Sequence, residues 1–114
     1  MSLLSDLKMI MGTLSIPCEV GVYSATPAPS QFAVFTPLTD HFKCADDRPE
    51  TEIQAVRISI YSKTNYLVTA RSVAKAIINA GHTITDRQYI EHEDETGYYH
   101  YVIDVEENYI WEEN

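Results

Sequence analysis

Residues 83–108 read TITDRQYIEHEDETGYYHYVIDVEEN, and this stretch decides the fold. Its two halves, Thr83 to Glu93 and Tyr98 to Asn108, are rich in the β-branched and aromatic residues that favour strands. Between the halves lies a turn-forming segment from Asp94 to Gly97, in which Gly97 can adopt a positive φ. The stretch therefore predicts a β-hairpin.

The pairing of the two strands can be predicted from their faces, because a slip of one residue moves every side chain to the opposite face. A loop made of Thr96 and Gly97 alone pairs Ile90 with Ile103. In this register Ile84 and Ile90 share the face that points toward the core.

The same register predicts the directions of the aromatic and imidazole side chains in the hairpin. Tyr99 and Tyr101 point toward the core, and Tyr98 points away from it. His92 points inward and His100 points outward.

Four hairpin residues are of the types that bind transition metals, namely His92, Glu93, Asp94 and His100. Metal ligands must converge on one point, and the predicted register puts the two imidazoles on opposite faces. The sequence therefore favours ordinary surface histidines, and we expect no metal and no other cofactor.

Two segments show the apolar spacing of amphipathic helices. The stripe of the first, over residues 2–14, consists of Leu3, Leu4, Leu7, Ile10, Met11 and Leu14. The second helix follows N-cap candidates at residues 62–65, and Gly81 is its expected C′ residue. Its stripe consists of Leu67, Ala70, Ala74, Ile77 and Ile78.

Three further strands are predicted before the second helix. Apolar and polar residues alternate from Cys18 to Tyr23, and residues 32–36 form an apolar run that Pro37 is expected to end. The clearest strand covers residues 52–62, with Val56 and its neighbours at even spacing on the core side.

The element order α-β-β-β-α-β-β predicts an α+β fold, a mainly antiparallel sheet with two helices packed on one face. We expect a single domain over residues 1–114, in which residues 109–114 form a flexible acidic tail.

Residues 39–51 are polar, aperiodic and rich in turn formers. They form either a long functional loop or a short ordered excursion from the sheet, and the pattern leaves both open.

Charge is distributed unevenly along the chain, whose net charge is −9. Eight acidic and eight basic side chains balance one another up to Arg87, and the nine acidic residues that follow are accompanied by no Lys or Arg. Such an imbalance bears on partners rather than on fold. The acidic part will repel a phosphate backbone or bind a basic surface, so tight nucleic-acid binding is not expected.

Other function classes find little support in the sequence. No stretch approaches the ~20 apolar residues of a membrane span, and residues 1–8 lack the pattern of a secretory signal. Cys18 and Cys44 have no metal or redox spacing and are expected to be reduced in a cytosolic product. No nucleophile elbow or phosphate-binding loop is present, and no two acids stand out as a glycosidase pair, so an enzyme is not expected.

Four blocks of sequence together resemble small proteins encoded in the tail-morphogenesis region of long-tailed phages and prophages. The blocks are Val20 to Tyr23, Ala33 to Leu38, Arg57 to Ser62, and the run from Ile84 to Asp104. The order of elements is similar to that of the tail terminator family, also called tail-completion or head–tail joining proteins. The likeness covers most of residues 3–108.

The resemblance implies a non-enzymatic assembly protein with an α+β fold. Tail terminators form a ring, usually a hexamer, on the end of the tail tube, where the ring stops tube growth and offers a surface to the head connector. The expected partners are further copies of the chain, the tail tube protein and the head connector protein, with DNA passing through the ring and no membrane involved. The expected location is the virion tail, and the host cytoplasm during assembly. A different neck or morphogenesis factor, or a small enzyme using acidic residues, are the alternatives.

Two placements of the acidic hairpin compete under this interpretation. It either lines the lumen, where it repels DNA, or lies at a subunit boundary against cations of the next copy. The acidic candidates are Glu91, Glu93, Asp94, Glu95, Asp104 and Glu106. The basic candidates are Arg57, Arg71 and Lys75. Asp46, Asp47 and Arg48 in the polar segment 39–51 are the candidates for contact with the tube or connector.

Overall fold

The computed structural model describes residues 2–45 and 48–111. Its elements are α1 (Leu3–Thr13), β1 (Cys18–Val20), β2 (Gln31–Ala45), β3 (Arg48–Ser62), α2 (Tyr66–Asn79), β4 (Thr83–Glu93) and β5 (Tyr98–Ile110). The strands form one sheet in the order β1-β2-β3-β5-β4. β1 pairs with β2 in parallel, and every other neighbouring pair is antiparallel. The predicted fold class and element order are confirmed, with a mixed rather than a purely antiparallel sheet.

Both helices begin at residues suited to the N-cap, and α2 also ends at a suitable residue. The Ser2 hydroxyl accepts a hydrogen bond from the Ser5 amide at 3.1 Å, and the Asn65 side chain accepts one from the Val68 amide at 3.4 Å. Gly81 follows α2 with a φ of 90°, as expected for a C′ residue.

The core lies between the two helices and one face of the sheet, which we call the helix face. α1 contributes Leu3, Leu7 and Met11, and the central strands contribute Phe35, Ile58, Ile60, Ile103 and Val105, all fully buried. Burying each large apolar side chain contributes about 1.5–3 kcal/mol, so this cluster stabilises the helices on the sheet.

The buried side of α2 differs from the predicted stripe. Leu67 and Ile78 are 46% and 60% exposed, whereas Thr69 and Val73 are buried together with Ile77. The buried positions follow one another at spacings of one and three residues, which makes a broad contact face. Leu67 and Ile78 lie at its edge, so the prediction that they belong to the core is wrong.

The other face of the sheet, which we call the open face, carries a second apolar cluster. Phe32 stacks on Tyr61 with ring centroids 4.9 Å apart, and Tyr23 from the preceding loop packs on Phe32. Tyr98 lies on this face, as predicted, but it is buried there, and its hydroxyl donates to the Pro29 carbonyl at 2.6 Å. The loop between β1 and β2 therefore covers this end of the open face.

β2 and β3 extend much further than predicted. Pro37 does not end β2, which continues to Ala45 after an irregularity between Pro37 and Thr39. β1 pairs only as far as Phe35, so the rest of β2 is an edge strand, where proline is tolerated. Residues 39–45 and 48–51 are therefore paired strand rather than loop, and we call this extension the arm.

The β4–β5 hairpin has a different register from the predicted one. Glu93 pairs with Tyr98 across a four-residue turn, and Arg87 rather than Ile90 lies opposite Ile103. One irregularity interrupts β4 between Ile84 and Asp86, and a second lies between Tyr89 and Glu91. Ile90 lies at the second irregularity and is exposed.

The faces of β5 and of His92 nevertheless agree with the prediction, whereas the prediction that Ile90 faces the core is wrong, because Tyr89 lies opposite Tyr101 in its place. Tyr101 packs against the helix-face core, and His92 pairs with Tyr99 on the same side of β5. His100 stacks on Tyr61 on the open face. The two imidazoles therefore lie on opposite faces.

The end of β5 runs along the arm. Tyr109 and Ile110 pair with Glu52 and Thr51, and the Trp111 amide donates to the Glu50 carbonyl at 3.0 Å. The flexible tail predicted to begin at residue 109 is therefore strand as far as Ile110, and residues 112–114 lie outside the described residues.

Neither α1 nor α2, the helices in the described part of the chain, has the length and apolar content that crossing a membrane requires.

Two neighbouring isoleucines test the placement of α2. We expect Ile77→Ala to lower the free energy of unfolding by about 2–5 kcal/mol, because it opens a cavity at a fully buried position. The matched control Ile78→Ala removes the same atoms from an exposed side chain and should change that free energy by less than about 0.5 kcal/mol. Urea denaturation followed by circular dichroism measures both, and equal losses would contradict this placement.

Candidate functional site

The acidic residues singled out in the sequence lie in three places. Four surround the turn of the β4–β5 hairpin, namely Glu91, Glu93, Asp94 and Glu95. Asp104 lies in the middle of β5 on the open face, and Glu106 lies two residues further along the same face. The structure thus brings together four of the six predicted carboxylates.

The hairpin tip, which we define as residues 91–96, is strongly exposed. The side chain of Asp94 is 98% exposed, and its Oδ1 lies 3.1 Å from Nδ1 of His92. Residues 91–96 also line a shallow polar depression. With four carboxylates and no cation of its own, the tip is suited to bind a basic surface.

Arg57 and Asp104 form an ion pair within one chain. Nε of Arg57 lies 2.8 Å from Oδ1 of Asp104, and Nη2 lies 3.0 Å from Oδ2. The hydrogen bond to Asp104 raises the pKa of the Arg57 guanidinium above its ordinary value, and the Asp104 charge raises it further. Arg57 is therefore already paired within its own chain, whereas the sequence alone made it a candidate cation for binding the acidic hairpin of the next copy.

Arg71 and Lys75 are exposed one turn apart on α2. Neither forms an ion pair with any carboxylate in the described part of the chain. Arg48 opens β3 and is exposed at the end of the arm. Asp46 and Asp47 lie outside the described residues.

A polar cluster that the sequence did not predict joins α1, the α2–β4 connection and β5. Nδ1 of His82 lies 2.7 Å from Oε2 of Glu107, and Nε2 lies 3.8 Å from Oδ2 of Asp6. The Tyr109 hydroxyl donates to the same Asp6 oxygen at 3.1 Å. Burial, followed by the Asp6 charge, raises the pKa of Tyr109. The only signal in the sequence was that His82 directly follows Gly81, the expected C′ residue of the second helix.

Beside this cluster lies an open cavity of about 370 Å³. Its lining consists of Asp6, Met9, Ile10, Thr13, Ala80 and His82. Apart from Asp6 and His82 the walls offer one threonine hydroxyl, and the cluster ties α1, the α2–β4 connection and β5 together.

The tyrosine-rich segment of β5 is divided between the two faces of the sheet. On the helix face, Tyr66 of α2 stacks on Tyr99 with ring centroids 5.1 Å apart and also contacts Tyr89 and Tyr101. These rings pack on one another at the start of α2.

His100 carries a buried imidazole nitrogen that lacks a hydrogen-bond partner among the described residues. The atom is Nε2, and the ring stacks on Tyr61 with centroids 4.3 Å apart. Burial lowers the pKa of His100, and this effect exceeds the opposing effects of Glu93 and Glu91.

Residues 2–45 and 48–111 contain no group of three or more His, Cys, Asp or Glu side chains placed to hold a metal ion.

Comparison with known proteins gives a structural likeness without a sequence family. No family model matches the chain, and no curated protein matches it. Its structure is similar to that of a chain in "Virion of native gene transfer agent (GTA) particle", with a TM-score of 0.51 and 9% sequence identity. The match covers 90% of this chain and 84% of that chain. This protein shares the fold of a virion-particle component. At this identity the likeness concerns the fold alone.

A double-mutant cycle tests the Arg57–Asp104 pair. Because Arg57 is 40% exposed, solvent screens the interaction, and we expect Arg57→Ala and Asp104→Ala to show a coupling free energy of about 0.5–1 kcal/mol. The matched control cycle combines Arg57→Ala with Asp86→Ala. Asp86 lies on β4, opposite Asp104, and its coupling free energy with Arg57 should be smaller. Urea denaturation measures both cycles, and a zero coupling with Asp104 would contradict the pair.

A second test uses the pH dependence of stability at His100. Because its pKa in the folded chain lies below the ordinary value of 6.5, the unfolded chain takes up the proton more readily. The contribution of the neutral imidazole is therefore complete above pH 6.5 and is lost as the pH falls through the folded-state pKa. We expect the stability of His100→Phe relative to wild type to increase as the pH is lowered from about 7 to about 5. Urea denaturation at each pH measures this, and a constant difference would contradict the account.

Proposed function

We propose that this protein is a non-enzymatic structural protein of a phage or prophage, which closes the end of the tail tube as a ring and joins the tube to the head connector. The observation that carries the proposal is the fold shared over 90% of the chain with a chain of a gene transfer agent virion. The sequence resemblance to tail terminators, which rests on other observations, points to the same class of particle.

The charge distribution supports a ring through which DNA moves. Each Lys or Arg that contacts phosphate adds counterion-release affinity and would slow DNA passage. Residues 88–111 contain no Lys or Arg. This part of the protein will not retain DNA.

The arm supports contact with another virion component. It gives the molecule an elongated outline of 52 × 26 × 24 Å. Near its end Phe42 packs edge-on against Trp111 with ring centroids 4.8 Å apart, and both rings stay partly exposed beside the exposed Ile110. Exposed aromatic and aliphatic side chains on a projecting element are typical of protein-binding surfaces. We assign the arm, including Arg48, to contact with the tail tube or the connector.

Deletion of the gene in an inducible prophage tests the proposal. Electron microscopy of the induced particles should show overlong tails, or tails without heads, because tube growth is not stopped and the connector finds no surface. The control is the same deletion with the wild-type gene supplied from a plasmid, which should restore complete particles. Normal virions from the deletion strain would contradict the proposal.

A further inference from the structure

The outward side of α2 combines apolar exposure with unpaired positive charge. Leu67, Val68 and Ile78 are among the large apolar side chains that remain exposed, Val68 at 59%. Arg71 and Lys75 lie between them along the helix. We call these five residues the α2 outer surface. An isolated helix face of this composition has apolar area that solvent does not favour and charge that no described carboxylate balances.

The edge of the β4–β5 hairpin shows the matching composition with the opposite sign. Tyr89 and Ile90 are both exposed, at the irregularity that interrupts β4. Glu91 and the rest of the hairpin tip follow directly, so apolar side chains lie next to carboxylates. We call Tyr89, Ile90 and the hairpin tip together the tip surface.

The intramolecular Arg57–Asp104 pair reduces the number of cations that are available to bind the tip surface. Arg57 is bonded to Asp104 through two nitrogens, which leaves Arg71 and Lys75 as the predicted interface cations without such a partner among residues 2–45 and 48–111. The α2 outer surface is also the one that places exposed apolar side chains beside these cations. Complementary charge next to complementary apolar area is what a specific contact between two proteins requires.

We propose that the α2 outer surface of one copy binds the tip surface of a second copy. The contact joins two different surfaces, so a copy that turns its α2 outer surface to one neighbour and its tip surface to another is in a head-to-tail arrangement, which can close a ring. This inference rests on the proposed function in that it assigns the boundary between subunits of the proposed ring. It places the acidic hairpin tip at that boundary rather than in the lumen.

Charge reversal on the purified full chain tests the contact. One variant carries Arg71→Glu with Lys75→Glu, a second carries Glu91→Lys with Asp94→Lys, and a third combines all four changes. Sedimentation velocity at protein concentrations up to about 1 mM should show self-association of the wild type that is at least about tenfold weaker in the first two variants, because like charges then meet. The third variant should regain association to within about threefold of wild type, because the complementarity is restored with reversed signs.

Lys8→Glu with Lys43→Glu is the matched control, since it reverses two exposed cations on α1 and β2, outside both surfaces, and should associate like wild type. Circular dichroism of each variant verifies folding. A wild type that stays monomeric, reversal variants that associate like wild type, or a combined variant that stays dissociated would each overturn the inference. The prophage deletion decides the proposed function separately. If the deletion gives overlong tails but the charge-reversal variants associate like wild type, the proposed interface is wrong and the proposed function stands. If the deletion gives normal virions but the variants behave as expected, the proposed function is wrong and the interface stands.

Discussion

The antiparallel pairing of β3 with β5 is the interaction on which the rest of the structure depends. The two strands lie side by side from Thr51 opposite Ile110 to Ser62 opposite Tyr99, at the centre of the sheet. Their alternating side chains build both faces, with Ile58 and Ile103 in the helix-face core and the Arg57–Asp104 pair on the open face. Since α2 and β4 intervene along the chain, the pairing closes a long loop, and the apolar faces of the two helices offset that entropic cost.

Much of the fold could be predicted, because strand and helix periodicities are local properties of the sequence. The faces of β5 and of His92 were predicted correctly although the register was not, since turns of two and four residues both preserve the alternation next to the turn. The irregularity that exposes Ile90 has no local signal. The continuation of β2 through Pro37 depends on where β1 stops, and the exposure of Leu67 depends on how α2 lies on the sheet. These features are set by contacts between elements that are distant in sequence.

The charge of the candidate site could be predicted from the sequence, whereas its ion pairs could not. The gathering of carboxylates at the turn follows from their positions along the hairpin, whereas the capture of Arg57 by Asp104 needs the β3–β5 register. The cluster of His82 with Asp6 and Glu107 brings together three elements and could not be read from spacing. A fold shared at 9% identity shows that two very different sequences meet the same core constraints. The shared fold supports the proposed class of particle, and the surfaces support the proposed contacts. These surfaces are an acidic hairpin tip, a cationic helix face and a projecting arm.

The position of this chain in an assembled particle tests the central claim most directly. Cryo-electron microscopy of particles purified after prophage induction should resolve a ring of this fold at the junction between the tail tube and the head connector. Particles in which that junction is built from other proteins, with this chain absent or located in the capsid or at the far end of the tail, would contradict the account.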